Sequence, residues 1–182
     1  MKKYCYIALL RGINVSGHKT VKMELLRASF ERLGFQNVET YVQSGNVVFE
    51  ATEKDAARLS EAIGKTILRD FGFPVPVLLR TAKEMERIVQ ENPFLNQAGI
   101  DHSKLHVTFL SAAAPKSAAR DLEPLVVKPE QFHIHSWEIY LYCPNGYGRS
   151  KLSNNAIEKK LGVEATTRNW KTVNALLALV QS

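Results

Sequence analysis

The sequence has little cysteine, no long hydrophobic run and no basic tail. Its two cysteines, Cys5 and Cys143, both lie in apolar segments, which favours buried free thiols, while a disulfide between them stays open. No apolar stretch approaches the length of a membrane-spanning helix, and the one near Met1 is interrupted at Arg11, too early for a secretory signal. These absences predict a cytoplasmic protein without a membrane partner.

The excess of positive charge is small and evenly spread. The 182 residues carry 24 Lys and Arg against 18 Asp and Glu, a net charge of +6. Residues 1–91 have 14 basic and 11 acidic side chains, and residues 92–182 have 10 and 7. This balance permits an anionic partner, either a small molecule or nucleic acid, without requiring one. It makes no prediction about the oligomeric state.

Hydrophobic periodicity and turn residues predict the order β-α-β-β-α-β for the first half of the chain. The first strand, over 4–10, is apolar on both faces, and Ser44-Gly45-Asn46 predicts a tight hairpin between the second and third strands. Pro74 and Pro76 favour an edge position for the fourth strand. The elements after the first strand are a helix over 23–33, strands over 38–43 and 47–49, a helix over 55–71 and a strand over 74–79.

The second half repeats this pattern after a connecting segment. Thr81 and Glu84 predict a capped helix to about Glu91, followed by a linker. The later elements are a strand over 105–110, a helix over 115–122, strands over 131–135 and 137–143, a helix over 156–161, a strand over 163–167 and a helix over 170–180. The predicted fold class is α+β, with two ferredoxin-like halves packed together and a C-terminal helix. The predicted division is 1–80, 81–102 and 103–182, with one compact unit as the alternative.

The segment from Gly12 to Thr20 resembles a phosphate loop, but His18 is inserted before Lys19. No apolar run ending in Asp supplies a magnesium ligand, and hairpins replace the parallel β-α units of a nucleotide hydrolase. The alternatives are a plain strand-to-helix turn and an anion site in which backbone N–H groups act with Arg11 and Lys19. The sequence therefore argues against nucleotide hydrolysis and leaves anion binding at this loop open.

Metal and nucleophile motifs are weak. His133 and His135 share a face of a strand, and His102 and His106 are four residues apart, but no further ligand completes a zinc site. There is no Gly-x-Ser-x-Gly motif, and Cys5 lies within a strand with no base that can be placed beside it. We predict no metal and no cofactor, and the catalytic residues, if the protein is an enzyme, stay unassigned.

Tyrosines alternate on two predicted strands, at positions 4 and 6 and at 140 and 142. Such a pattern could stack nucleic-acid bases, but the third strand lacks the aromatic and basic signature of RNA-recognition domains. Tyrosines packed in the core are the favoured interpretation.

The segment from Thr166 to Thr172 is polar and opens the last helix. Thr167 or Asn169 can cap this helix. Arg168 and Lys171 would then lie at the positive end of the helix dipole, which is unfavourable unless an anion binds there. The alternatives are simple capping and a ligand site, and we favour the site.

Three segments together resemble one known family: Arg11 to Gly17 followed by Met23, then Tyr41 to Phe49, and finally Thr166 to Trp170. In order and spacing they are similar to the domain-of-unknown-function 1697 family of mostly bacterial proteins. The resemblance implies an α+β fold of two ferredoxin-like halves, and no established activity, substrate or cofactor. Ser16 stands where the family pattern often has Gly, and Thr20 where a second basic residue is common, which weakens the phosphate-loop interpretation.

The favoured hypothesis is a binding protein for a phosphorylated or other anionic ligand, nucleic acid included. One alternative is an enzyme of unassigned reaction in which Asn14, Gln43 and Asn169 orient a substrate, and another is a protein-interaction module. The predicted ligand-binding residues come from loops and element ends, where the core does not require polar groups. They are Arg11, Gly12, Asn14, Gly17, Lys19, Gln43, Ser44, Asn46, Arg168, Asn169 and Trp170.

Overall fold

The computed structural model describes residues 2–15 and 17–182, so Ser16 and the family departure noted there lie outside the described residues. The helices and strands alternate as the sequence predicts. In chain order they are β1 Tyr4–Leu10, α1 Met23–Arg32, β2 Gln36–Tyr41, β3 Asn46–Ala51, α2 Ala56–Phe71, β4 Val77–Thr81, α3 Ala82–Gln90, β5 Leu105–Leu110, α4 Ala118–Leu122, β6 Gln131–His135, β7 Glu138–Tyr142, α5 Asn154–Leu161, β8 Ala165–Asn169 and α6 Trp170–Gln181.

The strands form two four-stranded antiparallel sheets with matching topology. The orders are β2-β3-β1-β4 and β6-β7-β5-β8, so the first strand of each half is central and flanked by the third and fourth. The connectivity β-α-β-β-α-β therefore occurs twice, and the prediction of an α+β protein with two similar halves and a C-terminal helix is confirmed. Strand β4 lies at a sheet edge, as the prolines before it indicate.

The chain divides into two units. The first runs to Glu86 and also includes Leu176–Ser182, and the second is Arg87–Ala175. Each unit contains one complete sheet. None of the helices formed by the described residues combines the length and the apolar composition needed to cross a bilayer.

The core of the first unit forms on one face of β1. Tyr6, Ala8 and Leu10 alternate along the strand and contribute to a cluster that includes Leu26 and Phe30 of α1. Aromatic rings are central to this cluster: the Phe49 ring lies 5.3 Å from that of Phe30 and 4.5 Å from that of Phe35, between ring centroids. Burial of each such side chain contributes about 1.5–3 kcal/mol, so this face stabilises the sheet against α1 and α2.

The core of the second unit is built the same way. Leu110 of β5 packs in a cluster with residues of β7, the two helices α4 and α5, and β8. The cluster members are Leu110, Ala118, Leu122, Ile139, Leu141, Cys143, Leu152, Ile157, Leu161 and Ala165. The period-2 pattern of the strands and the apolar stripe of α5 therefore meet in a single core.

Local capping explains several element boundaries. Asp55 caps α2 by accepting from the N–H groups of Ala57 and Arg58, at 2.9 and 3.3 Å. Thr81 and Glu84 form the predicted capping box, since the Thr81 N–H donates to Glu84 Oε2 at 2.7 Å and the Glu84 N–H to Thr81 Oγ1 at 3.2 Å. Some bounds differ from prediction. Strand β2 ends at Tyr41 because Val42 has a φ of 50°, which extended strands do not permit.

The alternating tyrosines divide between core and partly exposed positions. Tyr6 and Tyr140 are 2% and 0% exposed, and each hydroxyl donates to a backbone carbonyl within its own unit, that of Glu53 and that of Ile88 respectively. Tyr4 and Tyr142 are half-buried. The buried pair agrees with the interpretation of core tyrosines that use the hydroxyl internally.

Both thiols are free, but their environments differ. Cys143 is fully buried, and burial raises the pKa of its thiol to about 11. Cys5 is only half-buried, so the prediction of two buried thiols holds for Cys143 alone; burial and then the nearby Glu50 carboxylate raise the pKa of Cys5. Because the thiolate is the reactive species, Cys143 is doubly protected from alkylation.

We expect iodoacetamide at about pH 8 to label Cys5 at least about tenfold faster than Cys143 in the native protein. Peptide mass spectrometry over a time course measures the two rates. Denaturant without reductant is the control, and there both cysteines should label at similar rates. Faster labelling of Cys143 in the native protein would contradict this assignment of burial.

Candidate anion-binding site

Residues 11–22, which we call the cationic loop, join β1 to α1. Among the described residues of this loop, four have positive φ: Gly12, Asn14, Gly17 and Lys19, at 73°, 54°, 76° and 48°. Glycine and asparagine adopt this region most readily, so the composition suits a tight turn. The loop closes on itself, because the Asn14 N–H donates to the Lys19 carbonyl at 3.2 Å and the His18 N–H to the Val15 carbonyl at 3.0 Å.

The side chain of Asn14 determines the shape of this loop. Its Oδ1 accepts from the Val21 N–H at 2.8 Å, and its Nδ2 donates to the Val21 carbonyl at 2.9 Å. A further bond from Nδ2 reaches the Gln43 carbonyl at 2.7 Å. Both amide hydrogens are therefore used inside the protein, and Asn14 acts by holding the loop against the β2–β3 hairpin.

The hairpin lies directly against the loop. The Leu10 N–H donates to the Gly45 carbonyl at 2.8 Å, and Gly45 has a φ of 78°. A Cβ at Gly45 would lie 2.8 Å from Leu10 Cβ on the central strand, so only glycine allows this approach. Asn46 is fully buried, and its Nδ2 donates to the Tyr41 carbonyl and to Ser44 Oγ at 3.0 and 2.9 Å.

The structure thus brings the predicted residues of the first unit together, but several of their polar groups bond within the protein. Lys19 is exposed, yet its Nζ donates to the Pro74 carbonyl at 2.9 Å and lies 5.9 Å from the centre of the Phe73 ring. Helix α1 begins only at Met23, so the loop does not lead directly into a helix as a phosphate loop does. Arg11, Gly12 and Ser44 are half-buried, and Gln43 is exposed.

All the charged side chains of the cationic loop are positive. Residues 11–22 contain Arg11, Lys19 and Lys22 and no Asp or Glu. Lys22 is exposed, and neither Lys19 nor Lys22 forms an ion pair within the described part of the chain. An anion approaching the loop would therefore meet positive charge that no carboxylate of the loop offsets.

The third predicted segment lies in the second unit and differs from its prediction. Strand β8 continues to Asn169, so Arg168 is a strand residue and not a residue of a helix end. It is 7% exposed, and its Nη1 donates to Thr166 Oγ1 at 2.7 Å and to the Thr167 carbonyl at 2.9 Å. Trp170 is half-buried. The surface proposed to join these residues to the cationic loop stays a prediction.

Asn169 is the cap of α6, one of the two candidates for that role. Its Oδ1 accepts from the Thr172 N–H at 2.8 Å, which is the geometry of a helix N-cap. Thr167 instead bonds to other side chains. Its Oγ1 lies 2.7 Å from Thr108 Oγ1 and donates to Asn154 Oδ1 at 2.7 Å.

One polar cluster of the second unit was not predicted from the sequence. Its members are His106, Thr108, Tyr147, Asn154 and Thr167. The Tyr147 hydroxyl donates to Thr167 Oγ1 at 3.1 Å, and the Tyr147 ring stacks on the His106 imidazole with 5.0 Å between centroids. Alternation along β5 places His106 and Thr108 on one face, which the sequence does indicate. No local signal connects them to Tyr147, which comes from a 3-10 turn outside the strands.

The histidines do not assemble a metal centre. Within residues 2–15 and 17–182, no three His, Cys, Asp or Glu side chains lie where they could hold a metal ion. His133 and His135 share a face of β6, as predicted, but both are exposed. His135 Nδ1 lies 2.8 Å from Arg87 Nη1, so this histidine contacts a cation.

Comparison with known proteins agrees with this architecture. The solved structure of the conserved bacterial protein SP0830 from Streptococcus pneumoniae has a TM-score of 0.78 at 22% identity, over 98% of this chain and 99% of that chain. At this identity the similarity concerns the fold alone. No curated protein matches the chain. The family model described as protein of unknown function, DUF1697, matches residues 1–140. Since that match covers well over half of the sequence, the chain belongs to the DUF1697 family.

Proposed function

We propose that the protein binds a phosphorylated or otherwise anionic ligand at the cationic loop and the adjoining Gln43–Asn46 hairpin. The observation that carries the proposal is the Asn14 clamp, the hydrogen bonds that tie Asn14 to Val21 and to the Gln43 carbonyl in a loop whose charged side chains are all positive. A surface turn needs neither the clamp nor the charge. Preorganised donors lower the entropic cost of binding, so a fixed cationic loop suits an anion better than a mobile one.

Phosphate is the anion that this loop suits best. Lysine and arginine side chains bind phosphate oxygens through charge-assisted hydrogen bonds. Turns in which right-handed and left-handed backbone conformations follow one another also direct backbone N–H groups toward anions. The free thiols Cys5 and Cys143 are consistent with a reducing compartment, and we include a cytoplasmic location in the proposal.

Amide chemical shifts of the labelled protein test this proposal directly. Inorganic pyrophosphate should shift the resonances of residues 11–22 and 43–46 in a saturable way. Neutralising Lys19 and Lys22 together as glutamines should weaken binding at least about tenfold, because two charge-assisted contacts are lost. The matched control neutralises Lys65 and Lys83, exposed lysines of α2 and α3, and changes the net charge equally.

Two further experiments distinguish the ligand classes and test the role of the Asn14 clamp. Ribose 5-phosphate and a single-stranded oligonucleotide of about eight nucleotides separate a small phosphorylated ligand from nucleic acid, which also gives a steep salt dependence. Asn14→Ala should weaken pyrophosphate binding although it removes no charge. Shifts confined to other residues, or equal weakening by the control lysines, would refute the proposal. Turnover of a phosphorylated probe would favour the enzyme alternative.

A further inference from the structure

His106 of β5 has one ring nitrogen with a defined role and one that no described residue engages. Its Nδ1 lies 3.2 Å from the Lys104 carbonyl oxygen, which can only accept. Nδ1 therefore carries the hydrogen, and Nε2 of the neutral ring carries a lone pair. Among the residues that the structure describes, none hydrogen bonds to Nε2.

The surroundings keep this imidazole neutral and oriented. Burial lowers the pKa of His106, and the Lys104 charge lowers it further, against the opposing effect of the hydrogen bond to the Lys104 carbonyl. The Tyr147 ring covers one face of the imidazole, with an interplanar angle of 25°. Tyr147 is itself held by its bond to Thr167. Nε2 is thus a hydrogen-bond acceptor with a fixed direction at neutral pH.

Asn169 provides a donor beside this acceptor. The β5–β8 register places His106 directly opposite Asn169, so the two side chains share a sheet face with Cβ atoms about 4.5–5.5 Å apart. The Thr172 N–H fixes which end of the Asn169 amide is the oxygen. The Nδ2 hydrogens have no partner in the described segments, and the side chain is exposed.

We propose that His106 and Asn169 form a binding site for a planar amide-type edge, in which one N–H donor adjoins one carbonyl or ring-nitrogen acceptor. Nucleobases and primary carboxamides carry such an edge. The ligand N–H donates to His106 Nε2, and its acceptor receives a hydrogen from Asn169 Nδ2. Arg149 follows Tyr147 by two residues and is exposed, and residues 139–157 contain no Asp or Glu, so the surroundings favour a neutral or anionic ligand.

This site is independent of the anion-binding proposal, since all its residues lie in the second unit. Uridine and 3-methyluridine are matched probes, because methylation removes the N–H donor and leaves both carbonyl acceptors. At about pH 7.5, where His106 is neutral, uridine should shift the His106 Nε2 resonance and the Asn169 side-chain amide in a saturable way. 3-Methyluridine should not. Equal shifts from both probes, or no saturable shift, would overturn the proposal.

Three variants separate binding from a structural role. His106→Phe keeps a ring against Tyr147 but removes the acceptor, and uridine affinity should fall about tenfold. His106→Gln retains an acceptor and should bind more tightly than His106→Phe. Asn169→Asp preserves the α6 cap while removing the donor, and should also lose about tenfold. If these side chains are only structural, the variants will shift the melting temperature and leave the uridine titration unchanged, which would also refute the site.

Discussion

Replacing Gly45 with alanine is expected to lower the free energy of unfolding by about 2–5 kcal/mol. The φ of 78° is strained for any residue with a Cβ. The new methyl would also lie 2.7 Å from Ile13 Cδ1 and 2.8 Å from Leu10 Cβ. The Ile13 side chain can rotate away, but Leu10 Cβ is fixed to the central strand, so the hairpin must move.

Gly72→Ala is the matched control for this substitution. Gly72 ends α2 with a φ of 80°, close to that of Gly45, and a Cβ added there would meet open space, with no contact within 4 Å. Backbone strain alone then applies, about 1 kcal/mol. Urea unfolding of both variants measures the difference. Equal losses would contradict this explanation, because they would show that the added methyl is accommodated without displacing the hairpin.

Arg87→Met is expected to cost about 3 kcal/mol, the typical effect of removing one partner of a buried ion pair. Arg87 Nη2 donates to Glu138 Oε2 at 2.8 Å, and the Glu138 side chain is 0% exposed. This hydrogen bond is the main reason why the pKa of Arg87 is raised. Without the guanidinium, the buried Glu138 carboxylate keeps its desolvation penalty and loses the ion pair with Arg87.

Two comparisons isolate the buried charge as the cause. Arg58→Met removes an arginine that is 76% exposed and pairs with Glu53 and Asp55 at 4.0 and 3.6 Å, so it should cost less than about 1 kcal/mol. Adding Glu138→Gln to Arg87→Met should restore at least about 1 kcal/mol, because the buried charge is gone. Thermal and urea unfolding measure both. A double variant less stable than Arg87→Met would contradict this explanation.

The secondary structure was predictable because its signals are local. The capping box of Thr81 and Glu84 lies within four residues, and Gly72 and Gly162 end helices as C-terminal glycines do. The edge position of β4 followed from the prolines before it. The hydrophobic periods of 2 for strands and 3.6 for helices were then sufficient to predict two β-α-β-β-α-β halves.

The roles of the polar residues were less predictable. Asn14 was assigned to a ligand on the basis of its position in a loop, but its amide bonds to Gln43, 29 residues away. Arg168 was placed at a helix end, and its guanidinium is buried in β8. Glu138 illustrates the same limit, since no local feature of the sequence shows that this carboxylate has no exposure. Each outcome depends on which distant group occupies the neighbouring space.

The sequence by itself determined the fold class, the order of the elements and the resemblance to one family, because periodicity, caps and turn residues act over a few positions. Only the tertiary structure decided which polar groups bond inside the protein and which face outward. The Thr108 and Thr167 hydroxyls meet although 59 residues separate them, and the same strand pairing places His106 opposite Asn169. Hydrogen bonds are directional and short, so a polar side chain's role is set by partners that strand register brings within about 3 Å.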